Sequence, residues 1–97
     1  MRVYFAVSID ELEALAAGQP VTAAAFLAAS EDEEDELAAL EEAAENGAAA
    51  VAADLADPDG PLTLAEVASI HVDVDGSGDL AWYATQEIDA VLRTLRG

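Results

Sequence analysis

The chain has 97 residues, with 21 Asp plus Glu against 3 Lys plus Arg, a net charge of −18 and no cysteine. That length suits one domain with one modest core. The charge excludes nucleic acid as a direct ligand, because binding phosphates needs Lys and Arg to displace counterions. It also disfavours anionic membranes, and the missing cysteine excludes disulfides, thiolate nucleophiles and zinc–thiolate sites.

Hydrophobic residues make up 54%, but alanine supplies much of that. The larger Leu, Ile, Val, Phe, Trp and Tyr side chains must therefore provide most of the burial. The only cations are Arg2, Arg93 and Arg96, all near the termini. The apolar run within Met1–Glu13 is too short for a signal-peptide core. No stretch reaches the ~18 consecutive apolar residues of a membrane span, so a cytoplasmic protein is expected.

In chain order, Val3, Phe5 and Val7 alternate with Arg2, Tyr4 and Ala6, the period-two pattern of a strand. Ser8-Ile9-Asp10-Glu11 reads as a capping box. The helix it opens carries Ile9, Leu12 and Leu15 on one face and stops at Gly18. Val21–Ala29 mixes helix-favouring alanines with strand-favouring Val21, Thr22 and Phe26, and is assigned as a strand. Ser30-Glu31-Asp32-Glu33 reads as a second capping box, opening a helix through Leu37, Leu40 and Ala44 that Asn46-Gly47 ends in a left-handed cap. Ala48–Leu55 could extend that helix, but Gly47 argues for a break and a buried strand around Val51.

Asp57-Pro58-Asp59-Gly60-Pro61 is a turn cluster, and Thr63-Leu64-Ala65-Glu66 a third capping box on a single helical turn. Ile70, Val72 and Val74 then alternate with His71, Asp73 and Asp75 as a strand. After the glycine-rich turn Asp75–Asp79, Leu80, Trp82 and Ala84 alternate with Ala81 and Tyr83 to complete a hairpin. That alternation predicts Trp82 inward and Tyr83 outward. Thr85 is the predicted N-cap of a final amphipathic helix carrying Ile88, Val91, Leu92 and Leu95. The expected fold is a single acidic α+β domain over residues 1–97. It is a small two-layer sandwich of four to five strands with two main amphipathic helices plus a C-terminal helix.

The strongest local feature is the run Glu31, Asp32, Glu33, Glu34, Asp35 and Glu36, followed on the same helix by Glu41, Glu42 and Glu45. Acids in a first helical turn complement the macrodipole, which accounts for three or four of them. Like charges packed beyond that repel, so the remainder point to a partner-binding acidic patch. Charge runs are also commonly plain solvated faces. Asp73, Asp75 and Asp79 form a secondary acidic cluster. Asp73–Leu80 matches the first eight positions of an EF-hand calcium loop, but Ala84 stands where the bidentate Glu belongs and a strand precedes it. A hairpin turn is the better reading, and no metal site is assigned.

His71, the only histidine, is placed on the polar face beside Asp73 as a solvent-facing residue. No nucleophile–base–orienter set assembles around it. No phosphate loop or HExxH string is present, so neither catalytic residues nor a cofactor are assigned, and the chain is read as a non-enzyme.

The strings Ala68–Asp73 and Leu80-Ala81-Trp82-Tyr83-Ala84-Thr85-Gln86-Glu87-Ile88, with Met1–Tyr4 and the acidic stretch through Leu40, resemble an uncharacterised actinobacterial protein family. Members of that family are longer between the two hairpin strands, and no activity is attached to them. The resemblance therefore bears on fold and source alone.

Three classes of function remain. The first is an acidic module that mimics the phosphate pattern of DNA and inhibits a DNA-handling enzyme. In character, though not in alignable sequence, the chain resembles the small phage-type inhibitors of uracil-DNA glycosylase. Its partner would be the basic surface of a DNA-binding enzyme, and the free chain a monomer. The alternative is a housekeeping domain whose acidity is a salt or solubility adaptation. A small enzyme comes third, because no constellation supports it. The first class is the one expected.

Overall fold

The computed structural model describes residues 1–97. One five-stranded sheet forms from β1 (Arg2–Val7), β2 (Ala24–Phe26), β3 (Ala49–Asp54), β4 (Val67–Val72) and β5 (Ala81–Tyr83). Every pairing is antiparallel, in the order β2-β1-β3-β4-β5. Three helices complete the fold: α1 (Ile9–Ala16), α2 (Glu33–Glu45) and α3 (Ile88–Arg96). The α+β class and the strand count are as the sequence predicts.

The sheet has helices on both faces, so the chain adds a layer to the expected sandwich. On one face Val3, Phe5, Val7, Val51, Ile70 and Val72 pack with Leu12 and Leu15 of α1 and Ile88, Val91 and Leu92 of α3. This core holds every buried large apolar side chain except Tyr4, and burial of each supplies about 1.5–3 kcal/mol. On the other face Tyr4, Ala6, Ala50 and Ala52 meet Ala39 and Ala43 of α2. Five of those six residues are alanine, so the contact is close but buries little. Alternation in β1 and β3 could not reveal this, since both faces of each strand are covered.

Helix starts divide into those that follow the sequence pattern and those that do not. At α1 the Glu11 amide donates to Ser8 Oγ and the Ser8 amide donates to the Glu11 carboxylate, at 3.1 and 2.8 Å. Gly18 follows at φ +82°, where a glycine is needed. The box predicted at Ser30 does not form. Helix α2 opens at Glu33 with Asp32 as N-cap, while the Ser30 hydroxyl accepts from the Asp32 amide and donates to Asp35. Ser30 is thus spent on a local turn, and the acids of the first turn complement the dipole without it.

Thr85 is not the cap of α3 either. Its hydroxyl donates to the Val67 carbonyl at 2.7 Å, and a 3₁₀ turn at Thr85–Glu87 precedes α3. The single turn predicted at Thr63 is a 3₁₀ turn, Leu64–Glu66, with the Glu66 carboxylate accepting from the Thr63 amide. Helix α2 ends without a left-handed residue: Asn46 has φ −105°, and its Nδ2 donates to the Glu42 carbonyl. Gly47 serves a different purpose, because a Cβ there would sit 2.7 Å from the Val7 amide nitrogen.

The strand assigned within Val21–Ala29 is the short edge strand β2, preceded by an isolated bridge between Val21 and Leu62. The strand around Val51 is the central β3. No helix is long and apolar enough to cross a membrane.

Candidate functional site

Helix α2 presents seven carboxylates on 13 residues, and Glu31 and Asp32 stand just ahead of it. Glu33, Glu34, Glu41, Glu42 and Glu45 are exposed, while Asp35 and Glu36 are half-buried beside the sheet. None of them has a cationic partner. The chain makes two side-chain ion pairs, Arg2 with Asp54 and Arg96 with Glu13, and both lie off α2. At about 1.5 Å rise per residue, α2 spans roughly 20 Å, so its carboxylates fall about one per 3 Å of axis. Duplex DNA carries one phosphate per about 1.7 Å and each strand one per about 3.4 Å. The helix therefore has the linear charge density of a nucleic-acid strand.

The fold brings the second acidic cluster to this helix. Strand β4 ends at Val72, and the loop Asp73–Leu80 returns to β5 beside α2. Two adjoining depressions follow, of about 190 and 270 Å³, sharing Glu41, Gly78 and Leu80. Ala44, Glu45 and Asp73 complete one; Leu37, Leu40, His71 and Asp79 complete the other. Together they form a groove between α2 and the β4–β5 hairpin, with acids on both rims and leucines within. Asp75 points elsewhere and lines neither depression.

Within the loop the carboxylates act on the backbone. Asp73 accepts from the Gly76 and Gly78 amides at 2.8 and 3.0 Å, and Asp75 accepts from the Ser77 amide at 3.0 Å. Hydrogen bonds to Ser77 hold the Asp75 carboxyl below its usual range. Gly76 and Gly78 take φ of +77° and +90°, as the turn chemistry predicts. Val74 is exposed in this loop and does not continue β4. No three His, Asp or Glu side chains converge as metal ligands would.

The prediction for Trp82 and Tyr83 is reversed. Hairpin register pairs Ile70 with Tyr83 and His71 with Trp82. Ile70 faces the large core, so Tyr83 packs against that core while Trp82 takes the α2 side. Helix α2 packs chiefly over β1, β2 and β3 and stops short of β5, which leaves Trp82 62% exposed. Period-two alternation separates two faces but does not say which is inner; the register does. Leu80 lies on the same side as Trp82, two residues earlier.

His71 also departs from expectation, since it is half-buried on the groove floor. It shares a 2.8 Å hydrogen bond with Ser69, the one buried polar residue of the chain. Burial, with Arg2 adding to it, holds the imidazole below its ordinary value of 6.5. The unfolded chain therefore binds a proton first, and stability falls as pH drops below 6.5. His71→Gln, which keeps a polar partner for Ser69, is expected to flatten that part of the Tm-against-pH curve. An unchanged slope would mean that other groups set it.

Tyr4 is buried under α2, and burial, with Glu36 beside it, raises its phenol above 10.0. The one hydroxyl beside His71, that of Ser69, belongs to a residue only 7% exposed, and no acid is hydrogen-bonded to the imidazole to complete a nucleophile–base–orienter set.

Comparison with protein-family models, with curated proteins and with solved structures finds no match. The functional reading therefore rests on the site itself.

Proposed function

We propose that this chain is an acidic protein-binding module that occupies the basic nucleic-acid groove of a DNA-handling enzyme in place of DNA. The observation that carries this reading is the unpaired carboxylate row of α2, at the charge density of a nucleic-acid strand. Folding gains nothing from such a row beyond the first turn. Glu41–Glu45 and Glu42–Glu45 are like-charge neighbours at helical spacing, and each such pair costs about 0.2–0.5 kcal/mol. The three also lie near the negative end of the helix dipole. Acids placed where they oppose stability support a role in recognition. In this reading the chain binds rather than catalyses, and its partner is a protein with a positive cleft, such as a uracil-DNA glycosylase.

One observation favours the alternative of general adaptation. Nine further acids, including Asp10, Asp57, Asp59 and Asp89, lie outside the Glu31–Glu45 stretch and the hairpin loop. Such scatter suits a solvated acidic surface.

Capture on the immobilised chain at low salt separates the two. Mimicry predicts recovery of a basic nucleic-acid enzyme that duplex DNA elutes. Recovery of no such enzyme, or elution by salt but not by DNA at equal ionic strength, would leave adaptation as the reading.

A further inference from the structure

The groove between α2 and the β4–β5 hairpin combines features that the carboxylate row alone lacks. Leu37 is 53% exposed and Trp82 62% exposed, while the contact between α2 and the sheet is made mostly by alanines. Leu40 and Leu80 line the depression with Leu37, and His71 on its floor is the cross-strand neighbour of Trp82. The sheet beneath is uncovered because α2 packs over β1, β2 and β3, and β5 is an open edge of three residues. Around this apolar strip stand Glu41 and Glu45 on one rim and Asp73 and Asp79 on the other.

We infer that this groove docks an extended basic segment of a protein partner, with alternating arginine and apolar side chains. The inference rests on the proposed binding role and names the recognition element within it.

Charge decides the occupant. A second copy of this chain would bring another −18 to the same rims and be repelled. A polyanion or an anionic membrane meets the same repulsion. A segment carrying only apolar residues would leave four rim carboxylates facing an uncharged ligand. Alternation fits both chemistries: one side of an extended segment lays apolar side chains over Leu37, Leu40 and Leu80. The other side offers guanidinium groups to the rim acids, where forked donors match carboxylates. Trp82, beside the groove as the exposed cross-strand neighbour of His71, offers a ring face to a guanidinium. Exposed Trp beside a pocket is also the residue type that dominates interface energetics.

Trp82 is the only tryptophan, so its emission reports on this groove without labelling. The test titrates the intact chain with two synthetic peptides of equal arginine count, one alternating Arg with Leu and one alternating Arg with Ser. The expected result is a blue shift and reduced iodide quenching with the Arg–Leu peptide, and affinity at least about tenfold above the Arg–Ser peptide. Leu37→Ser, at an exposed position, should erase that difference while leaving Arg–Ser binding unchanged. Equal affinities with unshifted emission would overturn the groove assignment and leave the DNA-mimic reading standing. A blue shift with the Arg–Leu peptide, alongside failure of DNA to elute any captured enzyme, would sink the mimic reading and keep the groove. Sedimentation of the free chain at high salt checks the remaining occupant: a dimer abolished by Leu37→Ser would overturn the choice of a basic segment.

Discussion

Replacing Glu41, Glu42 and Glu45 together by glutamine is expected to stabilise the chain while weakening partner binding by about a hundredfold or more. The stability gain comes from α2 itself. These three acids sit in the C-terminal half of the helix, where the dipole disfavours negative charge, and they repel one another at helical spacing. The combined relief is about 1 kcal/mol, which in a domain of this size raises Tm by about 4–8 °C. Binding moves the other way, because the same side chains lack any cation in the free chain and face outward. Thermal denaturation and titration with the captured partner measure both halves. Under general adaptation the Tm rise would appear with no loss of affinity.

Gly47→Ala is expected to destabilise the fold by about 2–3 kcal/mol, the range for forcing atoms into a filled site. An added Cβ would meet the Val7 amide nitrogen at 2.7 Å and its carbonyl oxygen at 2.9 Å. Both are backbone atoms of a central strand. They cannot move aside without disturbing the ladder that pairs Val7 with Ala49. Urea denaturation should show a lower midpoint with an unchanged slope. By comparison, Gly60→Ala, whose nearest neighbour would be 3.2 Å away in an exposed turn, should cost far less. A Gly47→Ala midpoint equal to that of the parent chain would show that the β1–α2 approach is looser than described. The effect matters for function because Gly47 fixes where α2 leaves the sheet, and so where its acids point.

Much of this architecture is legible in the residues. The strands around Phe5, Val51 and Ile70, the capping box at Ser8 and the amphipathic pattern from Ile88 to Leu95 all read through local period and chemistry. What escaped reading depends on non-local facts. Gly47 follows an asparagine and invites interpretation as a left-handed cap, yet its role is a close approach to β1, 40 residues earlier in sequence. Trp82 and Tyr83 alternate cleanly, but the loop before them sets which one is inner. Ser30 sits at capping-box spacing and is diverted by Asp32 and Asp35.

The candidate site divides in the same way. Its acids stand out in the sequence, from Glu31 to Glu45 and from Asp73 to Asp79. That Glu41 and Glu45 meet Asp73 and Asp79 across a leucine-lined groove does not, because only the sheet order brings α2 beside the hairpin. The one available sequence signal was Leu37. Ala39 and Ala43 define the face of α2 on the sheet, and at 100° per residue Leu37 falls well outside it.

If α2 stands in for a nucleic-acid strand, the chain and DNA must compete directly for one cleft. The measurement is displacement of fluorescent duplex DNA from a basic enzyme captured at low salt, with unlabelled chain as competitor over a range of ionic strength. Mimicry predicts full displacement, with affinity for the chain falling steeply as salt rises and the Glu41, Glu42 and Glu45 glutamine variant failing to compete. A ternary complex, with DNA still bound while the chain saturates the enzyme, would contradict it.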